Sequence, residues 1–217
     1  MILKRIQVKT TQVNLLTNSY IICDEESKEA MVIDPGGEPE RIAELLDILK
    51  IDKIKYIFLT HCHADHIGGV AELKRLKGGK VLISRDDSEG LYNENINLAY
   101  YINMEKPELE ADSRLDDNDL IHIGKNEFKV ISTPGHTKGS VCLYCEKKGL
   151  IFTGDTLFNG TWGRTDLPTS SFEDIISSIT NRLMTLPDET VVYPGHGKIT
   201  MIQDEKSIYL ELRGKDF

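Results

Sequence analysis

Thr60-His61-Cys62-His63-Ala64-Asp65-His66-Ile67-Gly68-Gly69 packs three of the chain's six histidines and a carboxylate into six positions. The stretch follows an apolar run, Tyr56-Ile57-Phe58-Leu59, that reads as a buried strand, and it leads into a helix-like run. Neutral imidazoles and a carboxylate are the donors that zinc and other borderline ions accept. Side chains of an extended loop alternate with period 2, so His61 and His63 point the same way. Asp65 and His66 fall further along the turn and address a second point in space. The spacing predicts one metal with a second beside it.

Three more strand ends repeat this chemistry. Thr133-Pro134-Gly135-His136-Thr137 follows Val130-Ile131, Thr153-Gly154-Asp155-Thr156 follows Leu150-Ile151-Phe152, and Tyr193-Pro194-Gly195-His196-Gly197 follows Val191-Val192. In each, a glycine precedes a candidate ligand and permits a sharp turn or a close backbone approach. Five of the six histidines and two aspartates thus gather at four strand ends, which predicts a single convergent site on loops. His122 stands apart. It alternates with Ile121 and Ile123 and is predicted to face solvent or a neighbouring segment.

The rest of the chain supplies strands and helices in two similar halves. Strands are predicted at residues 2–8, in a run ending at Cys23, and at 30–34, with a polar hairpin turn at 24–29. Ile42, Leu45, Leu46 and Leu49 recur at helical spacing and predict a helix over 38–50. A strand at 54–60 delivers the histidine loop, a helix over 70–76 stops at Gly78-Gly79, and 81–84 is a short strand. Residues 86–119 read as a short helix followed by an irregular acidic segment, with the acids from 105 to 119 taken as solvated surface. Strands follow at 120–123, 127–132, 141–145, 150–154 and 190–193. A helix is expected over 172–183, with capping-box spacing at Ser170 and Glu173, and a closing helix over 207–212. Most strands are hairpin-like, which argues against a doubly wound parallel sheet. Two mixed sheets packed face to face with helices outside, an α+β architecture, bury the pattern best. No linker-like composition divides the chain, so residues 1–217 are read as one domain.

Composition bounds the function. At 217 residues with 40% hydrophobic content the chain can bury a substantial core. A net charge of −9 opposes non-specific contact with nucleic acid or an anionic membrane, and neither is expected as a partner. No apolar run is long enough to span a bilayer, and the first residues alternate like a strand rather than a signal peptide. The expected location is the cytoplasm, as a monomer or homodimer. Cys23, Cys62, Cys142 and Cys145 read as reduced and mostly buried. Cys142 and Cys145 lie three apart on a strand, face opposite sides and do not chelate one ion.

Thr-His-x-His-x-Asp-His, Pro-Gly-His-Thr, Gly-Asp-Thr-Leu-Phe and Tyr-Pro-Gly-His together resemble the metallo-β-lactamase superfamily, and Asp34-Pro35-Gly36 is similar to its early turn. The resemblance covers nearly the whole chain. It implies an αβ/βα four-layer sandwich with a metal site at one rim. It also implies that His61, His63 and His136 hold one metal, that Asp65, His66 and His196 hold a second, and that Asp155 bridges both. Two divalent ions, zinc foremost with iron or manganese as alternatives, are the implied cofactors. The Gly154–Phe158 run and Gly163-Arg164-Thr165-Asp166 look most like glyoxalase II-type (hydroxyacylglutathione hydrolase-like) thioester hydrolases, nearest to the small bacterial members.

That resemblance carries expectations about substrate and mechanism. The C-terminal helical extension by which glyoxalase II supplies basic residues to glutathione is expected to be absent here. The family's Lys-Phe-Tyr is replaced by Arg164-Thr165-Asp166, and its tyrosine two residues past the last histidine by Lys198. Arg164 and Lys198 are the cations expected near an anionic small-molecule thioester. A metal-bridging hydroxide is expected to attack the thioester carbonyl, with Asp65 orienting it as well as binding metal. The competing expectation is a mononuclear iron persulfide dioxygenase using His63, His136 and Asp155, on a scaffold that shares the Gly-Arg-Thr-Asp run. A nuclease or lactonase of the same superfamily ranks lower.

Overall fold

The computed structural model describes residues 1–10, 15–102 and 109–210. Its first sheet is β1 (Ile2–Lys9), β2 (Leu16–Cys23), β3 (Ala30–Ile33), β4 (Tyr56–Phe58), β5 (Lys80–Ser84) and β6 (Ser113–Leu115), in that order. The first three pair antiparallel as a meander, and β3 through β6 pair parallel. Between the parallel strands run α1 (Pro39–Ile48), α2 (Ala64–Ile67), α3 (Val70–Lys77) and α4 (Glu94–Asn97). The second sheet contains β7 (Leu120–Ile123), β8 (Asn126–Ser132), β9 (Val141–Cys145), β10 (Leu150–Gly154), β13 (Val191–Pro194) and β14 (Thr200–Met201), in the spatial order β14-β13-β10-β9-β8-β7. Only its β10/β13 pair is parallel. A small hairpin, β11 (Leu157–Phe158) and β12 (Thr161–Trp162), leaves β10, and α5 (Phe172–Ser178) and α6 (Ile202–Leu210) cover the outer face.

Period-2 alternation sorts the apolar side chains into three cores, one for each interface of four layers. Ile21, Val32, Ile57 and Val81 meet Ile42, Leu46 and Leu73 of the helices on one side. Tyr20, Ile22, Met31 and Phe58 turn the other way and meet Phe128, Val130, Leu143 and Phe152 between the sheets. Ile131, Cys142, Ile151 and Val192 pack outward on Ile175, Ile179, Leu183 and Tyr209. The result is the α+β four-layer sandwich. The cysteines are buried and free, with Cys142 and Cys145 in different cores. His122 is exposed and lies 3.2 Å from Glu127.

The departures have local causes. The strand expected over 54–60 pairs only at Tyr56–Phe58, because Ile54 N donates to Lys77 O and Thr60 N to the Asp34 side chain. Ser113–Leu115 forms a parallel strand inside the acidic segment, pinned where Val81 N donates to Asp112. Asp112, Asp116 and Asp117 of that segment pair with Lys74, Arg85 and Arg182, while 103–108 lie outside the described residues. Helix α5 is capped by Ser171, which accepts from Asp174 N, not by Ser170. Its last turns, Ile179–Leu183, relax to π geometry. Helix α6 starts at Ile202 rather than 207, and residues 211 and 212 lie outside the described set.

Candidate metal centre

The four loops that carry the candidate ligands leave the C-terminal ends of β4, β8, β10 and β13 on one rim. They bring His61, His63 and His136 together, Asp65, His66 and His196 beside them, and Asp155 with His61 and His66. Within each group the donor atoms lie within 4.8 Å of one another. Asp155 belongs to both halves: its Oδ1 is 3.3 Å from His66 Nε2, and its Oδ2 is 3.6 Å from His136 Nε2 and 3.4 Å from His196 Nε2. The approach requires glycine at 195, where an added Cβ would collide with Asp155 Oδ1 and His66 Cε1. Gly154 has a left-handed φ of 48° and sits hard against the Thr60 side chain.

The outward nitrogen of four rings is tied to an oxygen, which turns the other nitrogen inward. His61 Nδ1 donates to Thr60 Oγ1 at 3.1 Å, and His66 Nδ1 to Asp34 Oδ2 at 3.0 Å. His136 Nδ1 donates to Arg164 O and His196 Nδ1 to Leu16 O, each at 2.8 Å. His63 is reversed. Its Nδ1 faces His136 Nε2 at 2.8 Å, and that Nε2 carries a lone pair because the Nδ1 of the same ring is the donor. Buried His61 Nε2 and His63 Nε2 have no hydrogen-bond partner among the described residues. Buried polar atoms are rarely left so, and inward lone pairs without partners fit cations.

The electrostatics divide the centre. Burial, reinforced by neighbouring rings, pushes His61 well below the usual imidazole range and takes His63 down to about 3. In the other half burial opposes the charged forms, yet ion pairing prevails. The charges of Asp155, Asp65 and Asp34 raise His66 to about 10, and Asp155 and Asp65 raise His196 to about 11. Reciprocally, His66 and His196 hold Asp65 at about 2 and Asp155 well below the carboxylate range.

Two further carboxylates organise the loops without reaching the inward donors. Asp34 (φ 48°) accepts from Thr60 N at 2.8 Å, from Thr60 Oγ1 at 2.7 Å and from His66 Nδ1, so it steadies His66 directly and His61 through Thr60. Asp87 is buried, and burial raises its carboxyl. It accepts from Cys62 N, Thr137 Oγ1 and Gly139 N at 2.7–3.0 Å, joining the loops of His61, His63 and His136. Ser170 Oγ donates to His136 O at 2.7 Å. No motif in the sequence marks Asp87 or Ser170 as part of the site, and Asp34 stands out there only within a turn motif. Arg164 borders the cleft over the centre, with its guanidinium on Asp166. Lys198 is exposed and is not among the cleft's lining residues.

The metallo-beta-lactamase superfamily model matches residues 14–196, and the chain belongs to that superfamily. It is 34% identical to hydroxyacylglutathione hydrolase GloC of Haemophilus influenzae, over 87% of this chain and 89% of that one. The structure of BLEG-1 B3 metallo-beta-lactamase superposes with a TM-score of 0.88 at 32% identity, covering 98% of this chain and all (100%) of the other. ETHE1 from Myxococcus xanthus gives a TM-score of 0.79 at 29% identity, covering 100% and 86%. Fold and clustered ligands support a metal-dependent hydrolase of this superfamily. Among the described residues no helix is long and apolar enough to cross a membrane.

Proposed function

We propose that the protein is a binuclear metal-dependent thioester hydrolase of the hydroxyacylglutathione hydrolase type. The observation that carries this reading is Asp155, whose two oxygens reach ligands of both clusters. Similarity to GloC along most of both chains supports a thioester as the substrate class. His61, His63 and His136 would hold one ion, Asp65, His66 and His196 the other, and Asp155 both. The nitrogen and oxygen donors suit zinc first, and also iron or manganese. When bound, two divalent ions supply Lewis acidity for the carbonyl oxygen and a water acidified toward neutral pH.

The chain's own groups supply the rest. Asp65 lines the cleft, accepts from Thr17 Oγ1 at 3.3 Å and lies 3.1 Å from His196 Nε2. There it orients the attacking water as well as serving as a ligand. The buried rings close the back of the site to bulk water. A free thiol titrates near ~8.5, so a departing thiolate needs no strong general acid.

The test pairs metal content of the purified protein with turnover of an S-lactoyl thioester. Two metal equivalents and thioester hydrolysis without oxygen uptake are the expected result. A second reading, persulfide oxidation on one iron held by His63, His136 and Asp155, is favoured by the likeness to ETHE1 and the Gly163-Arg164-Thr165-Asp166 run. Oxygen uptake with glutathione persulfide on iron-loaded protein, and no thioester hydrolysis, would replace the first reading with the second.

A further inference from the structure

The cleft over the centre holds about 390 Å³, within the usual range for a small-molecule site. Five large apolar side chains from four parts of the chain line it: Leu15, Leu98, Phe158, Trp162 and Leu167. Its ionisable lining is His63, Asp65, His136, Asp155 and His196 together with Arg164, and no lysine or other arginine joins it among the described residues. Both Asp166 oxygens engage the Arg164 guanidinium at 2.9 Å. The pair presents no net charge, so an anionic group would only exchange one carboxylate for another there. An apolar group, by contrast, removes water from both surfaces.

The two walls are held in shape from behind. Leu98 adopts φ 66°, a left-handed conformation that a branched, non-glycine residue rarely takes. Buried Asn97 imposes it: its Nδ2 donates to Gly90 O at 2.6 Å and its Oδ1 accepts from Ala99 N at 2.9 Å. Backbone strain of this kind persists where surrounding bonds over-determine it, and it concentrates at ligand clamps. On the other wall, Gly160 N donates to buried Glu205 at 3.0 Å, which ties the β11–β12 hairpin to α6. Trp162 packs on Phe172 and Tyr209, with ring centroids 6.1 and 5.9 Å away.

We propose that the cleft selects thioesters whose thiol-derived part is uncharged and apolar, seated on Leu98 and the Phe158–Trp162 hairpin, over glutathione thioesters. The proposal rests on the thioesterase reading, and a binding measurement keeps the two separable. Trp162 is the chain's single tryptophan, so its fluorescence reports occupancy of the cleft. The full-length protein as purified is titrated with N-acetyl-S-hexylcysteamine and with S-hexylglutathione. These thioethers share an alkyl group but differ in charge, and neither can be hydrolysed.

The neutral thioether is expected to bind about tenfold more tightly, since burying the carboxylates of glutathione without partners is unfavourable. Leu98→Asn should remove most of that difference. Asparagine tolerates the left-handed backbone, so circular dichroism should show an unchanged fold. Equal or tighter binding of S-hexylglutathione, no response to either ligand, or an unaltered preference in Leu98→Asn would each overturn the proposal. Turnover of the lactoyl thioesters of N-acetylcysteamine and glutathione completes the test. Hydrolysis of both with the glutathione ester preferred refutes the selectivity alone. A neutral-ligand preference with no hydrolysis of either upholds the selectivity and removes the thioesterase reading.

Discussion

His61, His63 and His136 make one half of the centre from imidazole alone, whereas Asp65, His66 and His196 make the other from a carboxylate between rings. The first half is the more deeply buried, with the three histidines at most 3% exposed although His63 and His136 border the cleft. The second opens to the cleft through the His196 and Asp65 side chains, which are 21% and 15% exposed. Without an ion, the second half can satisfy itself by proton transfer from solvent. Two rings charge, two carboxylates stay ionised, and ion pairs form. The first half has no acid of its own, so His61 and His63 are held neutral and their inward nitrogens have no partner among the described residues. A cation therefore replaces nothing in the first half, while in the second it must displace protons.

Asp155 is where this division is bridged, and its removal gives the largest expected effect. Asp155→Ala takes an acceptor from His66 and His196 and the carboxylate that stands beside His136. Both metal equivalents should be lost on elemental analysis. Metal assistance is worth several kcal/mol, so the turnover of a lactoyl thioester should fall about 10³-fold. A variant that keeps one full equivalent would show that the halves bind independently and that Asp155 serves only one of them.

Asp34 acts one bond further out, again on both halves. Asp34→Asn keeps the left-handed backbone accessible and one carbonyl oxygen for Thr60 N. It replaces an acceptor of Thr60 Oγ1 and His66 Nδ1 with a donor. Losing such a supporting bond costs 10–100-fold in affinity, and with two ligands affected about 100-fold is expected. Competition with a chelator should show both ions weakened together. Weakening at the second half alone would mean that the Thr60 relay to His61 contributes nothing.

The same distinction between direct and relayed contacts explains what could be read from the chain beforehand. The seven residues of the candidate centre stood out because each is a polar residue near the place where an apolar strand ends. The unbroken apolar runs at Tyr20–Cys23 and Val141–Cys145 likewise read as strands, and both faces of each are buried. Asp34 carried the same signal at the end of Ala30–Ile33, but nothing in the sequence named its partners, and Asp87 gave no signal at all. An aspartate in a turn looks alike whether it is solvated or buried, and what identifies these two is the origin of their donors. Thr60 lies 26 residues from Asp34, and Thr137 lies 50 from Asp87. Arg164 had the opposite fault. Its charge was legible in the sequence, but the fork to Asp166 that neutralises it is visible only in three dimensions. Strands as short as Ser113–Leu115 carry too few residues to show a period. They exist because neighbours such as Val81 and Asp112 hold them in register.

The smallest effect is on the stability of the metal-free protein, and its sign differs between the halves. His63 is held at about 3 by burial, against 6.5 when unfolded. Below pH 6.5 the unfolded chain therefore binds a proton that the folded chain refuses, and stability falls as pH falls. Each unit removes about 1.4 kcal/mol, so His63 alone should cost about 2 kcal/mol between pH 6.5 and 5. His61, also lowered, adds in the same direction. His66 and His196, raised to about 10 and 11, act oppositely. Their contribution is complete below pH 6.5 and is lost as pH rises through those values. Asp65 and Asp155, held below their unfolded values, lose theirs only at pH below about 4 and stay silent in this window. Urea unfolding of chelator-treated protein should thus show an acid limb that flattens in His63→Gln and an alkaline limb that does not. An acid limb unchanged in that variant would mean that the all-imidazole half carries no proton-linked strain, and the contrast between the halves would lose its physical basis.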